Sequence, residues 1–201
     1  MSKRVQEIVV GVLATLLLLG IGAAQNWHWR DRYGHSNMIR TEGGEWVDET
    51  KVRTAREIAS HSTGTPEWTN PPGFEKDVFT FVRIIRDRDP DASPTSGSWI
   101  TDFPDSDLNL SYRIQQFTSM RVDPDARVIR LTDPDLCNYP WIYMVEPGAL
   151  LLRDEEVPIL RKYLLNGGVL MADDFWGEWQ WKGFARQIKR VFPEREFCFF
   201  F

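Results

Sequence analysis

Three carboxylates and a tryptophan are the residues whose types and spacing could do chemistry. Asp173 and Asp174 follow the apolar stretch "GGVLMA", Glu146 closes "WIYMV", and Trp176 stands just beyond the aspartate pair, with Trp179 and Trp181 after it. Carboxylates so placed can hold a hard cation such as magnesium, or act as acid and base toward a sugar. The indoles offer flat faces on which a glycan can stack. A structural reading competes with these. Asp174 can satisfy orphan amides at a helix start, and Trp181, Phe184, Ile188 and Val191 recur with core periodicity. Capping is the reading the sequence favours. Glu146, Asp173, Asp174 and Trp176 are kept as candidate ligand-binding residues, and no catalytic residue, metal ligand or cofactor is assigned.

The rest of the inventory excludes most other chemistry. His28, His35 and His61 all precede Asp77, so residues 77–201 contain no Cys-His or Ser-His pair of their own, and one completed from the preceding segment is not expected. Neither Cys137 nor Cys198 has a close-spaced partner for zinc, and two buried thiols are expected rather than a disulfide. No phosphate-cradling "GK[ST]" or "GxGxxG" occurs. Asp87, Asp89 and Asp91 imitate the opening of a calcium loop, but Ala92 and Ser98 stand where the loop needs Gly and Glu. A net charge of -5 and a pI near 5.3 argue against a nucleic-acid partner, which would call for clustered Lys and Arg.

The elements that must position the candidates are legible in the patterning. Lys3 and Arg4 precede an apolar run over residues 8–24, so residues 1–24 are expected to be a signal peptide or an N-terminal membrane anchor. Residues 25–76 are polar and rich in turn-formers, and are expected to be a stalk or an extension draped on the domain, with a short helix carrying Val52, Ala55 and Ile58. The domain spans 77–201. Its strands are expected at Val78–Ile85, Val128–Leu131, Trp141–Glu146, Gly168–Ala172 and from Phe197. Trp141–Glu146 has no polar alternation, which predicts cover on both faces.

Helices are expected between these strands. One follows a cap at Asp105 or Ser106 and carries Leu110, Ile114 and Phe117. A second follows Asp154, with Ile159, Leu160, Tyr163 and Leu164 as its stripe, and stops at Asn166-Gly167. A third spans Glu178–Val191. Alternation of this kind gives an α/β fold with a mainly parallel sheet covered by helices. Ligands on such sheets bind beyond the carboxyl ends of the strands, where Glu146, Asp173 and Asp174 fall.

The stretches "GSWITDFPDSDLNLSYRIQQFTSMRVDP", "YPWIYMVEPG" and above all "YLLNGGVLMADDFWG" followed by "FARQIKRVFP" resemble the bacterial domain-of-unknown-function family 4159, over roughly residues 77–196. The resemblance implies a fold similar to class I glutamine amidotransferases, a flavodoxin-like three-layer sandwich, and brings no established activity. It also implies a further strand and a His-Pro-containing segment after "VFPERE". A chain ending "FCFFF" is therefore expected to be truncated or frame-shifted. An amidotransferase nucleophile would stand after "WIYMVE", where "PGAL" offers none.

Together these readings predict an exported protein, periplasmic or secreted, or held at the cytoplasmic membrane by residues 8–24. Its domain is expected to bind a ligand or partner, an envelope protein or a glycan, without catalysis. The alternative is a carboxylate- or metal-dependent hydrolase acting on a cell-envelope polymer.

Overall fold

The computed structural model describes residues 37–62, 64–73, 77–92 and 97–198. The apolar run of residues 8–24, His28, His35 and the tail 199–201 lie outside the described residues. Met1–Ile39 and Arg40–Phe201 cluster as separate units. Among the described residues, no helix is long and apolar enough to cross a membrane.

The unit from Arg40 onward is built on four parallel strands: β1 (Val82–Ile85), β2 (Arg127–Arg130), β3 (Trp141–Val145) and β4 (Val169–Asp173). Their order across the sheet is β2-β1-β3-β4. Three helices join them: α1 (Asp105–Phe117) leads from β1 to β2, α2 (Glu156–Leu165) from β3 to β4, and α3 (Gly177–Val191) follows β4. The chain leaves β1 in one direction to form β2 and returns past it to form β3. The carboxyl ends of β1 and β3 thus flank the point where the strand order reverses, which is where open α/β sheets leave a crevice.

Alternation along the strands decides which helix covers which face. Val82 and Ile84 of β1, with Ile142 and Met144 of β3, join Leu160 and Tyr163 of α2 and Val191 of α3 in one apolar core. Arg83 and Tyr143, paired in register across β1 and β3, point the other way, toward α1. β1 is buried at all four positions, as its central place demands. β4 is an edge strand among the described residues, and Val169 and Met171 stay 53% and 43% exposed on the α1 side. Trp141 and Tyr143, their register partners in β3, are only half-buried, so the expected cover on both faces of β3 is incomplete there.

Other expectations shift in detail. The stretch around Val52, Ala55 and Ile58 forms only a 3-10 turn, Ala55–Glu57, yet all three residues are buried and belong to the same compact unit as the sheet. In α1 the buried positions are Asp105, Asp107, Leu108 and Ser111, while Leu110 and Phe117 are exposed. The cause is Arg83: its guanidinium draws Asp107 inward, and the helical period then fixes which residues follow. Asp154 does not cap α2; it is exposed and pairs with Arg190 at 2.7 Å. Gly167, at φ 94, ends α2 in the left-handed conformation as expected. Phe197 and Cys198 are not in a strand. Cys137 and Cys198 are free and exposed, which corrects the expectation of buried thiols.

Candidate functional site

Beneath the carboxyl ends of the strands lies a closed polar network. Arg83 and Asp107 are both fully buried. Every N–H of the guanidinium is used. Nε bonds Asp107 at 2.9 Å, Nη1 reaches the carbonyls of Trp99 and Thr101 at 2.9 and 3.0 Å, and Nη2 bonds Ser106 at 2.7 Å and Asp107 at 2.5 Å. Burying two charges is tolerated only when they are paired and their remaining hydrogen bonds satisfied. The arrangement pins the loop that runs from Gly97 to Pro104 onto the sheet.

Glu146, the first candidate, stands immediately after β3 at φ 45 and ψ 48, a left-handed conformation that costs a non-glycine residue about 1–3 kcal/mol. Its carboxylate is occupied by that same loop. Oε2 accepts from the Thr101 hydroxyl at 2.5 Å and from the Ser98 N–H at 3.2 Å. Gly97 packs so close to it that a Cβ there would overlap the carboxylate. Arg86, at the end of β1, is 6% exposed and donates to the carbonyls of Val145 and Glu146 at 3.3 and 2.6 Å. Its burial pulls the guanidinium down to about 10, against the opposing pull of the Glu146 charge. Arg86 and Glu146 thus stand at the crevice between β1 and β3, one bonded to the end of β3 and the other to the loop.

The rim at β4 is different. Asp173 ends the strand, its carbonyl accepts the Glu146 N–H at 2.9 Å, and its Oδ1 accepts the Tyr143 hydroxyl at 2.6 Å. Burial and this bond hold the Tyr143 phenol well above its ordinary pKa. Asp174 is exposed, at φ 55, and α3 has no side-chain cap. This corrects the capping expectation: Asp174 stands two residues ahead of the N-cap position, which Trp176 occupies, in a left-handed conformation. Its Oδ1 instead accepts the indole N–H of Trp176 at 3.1 Å. The backbone N–H of Trp176 donates to Oε1 of Gln180 at 2.5 Å. Gln180 is itself seated on Gly148, and one turn further on Gly183 meets the Gly148 carbonyl so closely that only glycine fits. The turn after β3 therefore positions the start of α3, and the start of α3 positions Trp176.

Of the tryptophans, Trp176 is 76% and Trp179 55% exposed, whereas Trp181 packs among Phe175, Phe184 and Phe197, as its periodicity implied. The structure brings Asp174 and Trp176 into contact and ties Glu146 to Asp173 through the backbone. It gives no direct contact between the side chains of Glu146, Asp173 and Asp174. Among the described residues no group of His, Cys, Asp and Glu is arranged to hold a metal. Clefts among the described residues lie elsewhere, one of about 530 Å³ lined by Phe79, Met120 and Pro140, one of about 290 Å³ lined by Cys137, Tyr163 and Gly168, and one of about 230 Å³ between Glu49, Arg53 and Arg130.

Sequence reasoning missed His61. It reaches the amino end of α1, with Nδ1 2.7 Å from Asp105 and Nε2 3.0 Å from Glu42. Ser60 also bonds Asp105. With both imidazole nitrogens facing carboxylates, His61 ties the preceding segment to α1 and activates no nucleophile in this arrangement. Only the pairing of two segments distant in sequence reveals it, and no local motif signals that. Arg83 and Arg86 were equally invisible, since an arginine inside an apolar strand reads as an interruption rather than a hub.

The fold and rim define a parallel α/β domain that presents carboxylates and indoles at the carboxyl end of its sheet. Residues 80–198 match the family described as "Domain of unknown function (DUF4159)", more than half of the chain, and the protein belongs to that family. No curated protein matches it.

Proposed function

We propose that the chain is an exported, non-catalytic binding domain whose ligand meets the rim at Asp174 and Trp176, on a flavodoxin-like fold akin to class I glutamine amidotransferases. The strand order β2-β1-β3-β4 supports the fold reading, because flavodoxin-like sheets begin in that order. One contrast carries the binding reading. Glu146, just before the turn where an amidotransferase-like enzyme would carry its nucleophile, is half-buried with Oε2 shared by Thr101 and Ser98, while Asp174 is exposed and bonded only through Oδ1, to the indole of Trp176, among the described residues. Export rests on the basic and apolar residues of the first 24 positions. Asp173, oriented by Tyr143, supports the second reading, a carboxylate-dependent hydrolase of an envelope polymer.

Incubating the protein with isolated bacterial envelope polymer separates the two. The binding reading expects cosedimentation with no release of soluble fragments. Fragment release that Asp173→Asn abolishes would replace it with the hydrolase, and neither cosedimentation nor release would remove both.

A further inference from the structure

Resting on that binding reading, we propose that the rim at the start of α3 binds a neutral oligosaccharide of equatorially substituted pyranoses, stacked on Trp176. The observation behind it is an exposed side chain that is nonetheless fixed. Trp176 is 76% exposed, yet its ring N–H is held by Asp174 at 3.1 Å and its backbone N–H by Gln180 at 2.5 Å. Surface side chains are ordinarily free to sample rotamers; a ring already held in place loses less freedom when a ligand arrives. With its N–H occupied, the indole presents only its faces. Trp179, 55% exposed in the first turn of α3, adds a second indole to the same end of the helix.

The polar groups beside the rings select among flat ligands. Asp174 has a free acceptor oxygen, and because Oε1 of Gln180 takes the Trp176 N–H, the Gln180 amide N–H groups stand as donors with no partner among the described residues. A donor and an acceptor together suit a hydroxyl, which both gives and takes a hydrogen bond. The nearby cations Lys182 and Arg186 are already paired, with Glu178 at 2.8 Å and Asp89 at 3.1 Å, and so do not single out an anionic ligand. A pyranose whose ring substituents are equatorial offers an apolar C–H face to the indole and hydroxyls at its edge.

The test titrates the full chain with hexasaccharides of β-1,4-linked glucose and of β-1,4-linked N-acetylglucosamine, read by calorimetry and tryptophan emission. Tetramethylammonium chloride and neutral phosphatidylcholine vesicles run in parallel. Saturable binding of at least one saccharide is expected. Trp176→Ala should weaken it about tenfold, Asp174→Asn about fivefold, and Trp46→Ala, which removes another exposed indole, should leave it unchanged. No saturable binding of either saccharide, wild-type affinity in Trp176→Ala, or a response confined to the vesicles or the ammonium salt would overturn the proposal. Cosedimentation with envelope polymer that persists without hexasaccharide binding would remove the saccharide assignment alone and leave the binding domain standing.

Discussion

The carboxylates near the carboxyl ends of this sheet fall into two regions that a sequence cannot tell apart. In one, Asp107 is fully buried against Arg83 and Ser106, and half-buried Glu146 meets Thr101 and Ser98 of the adjoining loop. In the other, Asp174 spends one oxygen on an exposed indole and has the second free of protein partners among the described residues. Standing at a strand end is therefore not what makes a residue available to a ligand. Exposure after folding does that, and here the β4 rim carries the exposed carboxylate while those of the β1–β3 crevice are buried or half-buried. The interior network holds the scaffold in shape, and the rim presents an aromatic surface that the scaffold keeps still.

The comparison breaks most visibly if the interior network is cut. Asp107→Ala leaves the Arg83 guanidinium buried without its counter-charge, and removing one partner of a buried pair typically costs about 3–5 kcal/mol. Urea unfolding should show a loss of that size. Replacing both partners together, Arg83→Met with Asp107→Leu, should recover most of it, because the cost lies in the stranded charge. A loss below about 1 kcal/mol in Asp107→Ala, the range of an exposed pair, would mean that solvent reaches Arg83 and that the two regions do not differ as described.

Acid offers a smaller, graded test of the interior. Asp87 is pushed up by burial, but its bonds from Arg153 and Arg130 outweigh that and leave it below its ordinary value of 3.8. Asp105 behaves likewise, burial being outweighed by bonds from Ser60, Ser62 and the His61 N–H. A carboxyl depressed in the folded state contributes stability above its unfolded pKa and loses it as pH falls through the folded value. Stability should therefore decline from about pH 4 downward, and Asp87→Asn should flatten that decline by up to about one proton in the slope. Denaturant titrations at pH 5, 4 and 3 measure it. An unchanged slope in the variant would show that Asp87 carries none of the decline.

The sequence was most informative where a single segment determines the outcome. The apolar runs became β1, β3 and β4, Gly167 stopped α2, and Trp181 went inward on its period, because each depends on residues a few positions away. The site was less legible. Glu146 and Asp173 were placed correctly at strand ends by topology alone, yet whether they are free depends on Thr101, Ser98 and Tyr143, which reach them from other elements. The α1 stripe was misjudged for the same reason. Leu110 and Phe117 have the right spacing, but Arg83, 24 residues before Asp107, decides which face turns inward.

The smallest effect on stability bears most directly on the two aspartates at the rim. Were Asp174 a cap, Asp174→Asn would be a mild change and Asp174→Ala would cost about 1 kcal/mol through lost bonds to helix amides. It bonds no such amide, however, and its one partner among the described residues is the indole of an exposed Trp176. Asparagine keeps an oxygen for that indole and tolerates the left-handed backbone at φ 55, so the geometry should survive. Asp174→Asn is accordingly expected to change unfolding free energy by less than about 0.5 kcal/mol while weakening ligand binding. A drop of several degrees in Tm would return Asp174 to the structural side of the comparison and leave the rim without its free acceptor. An unchanged Tm with weakened binding would separate the two regions by function as well as by geometry.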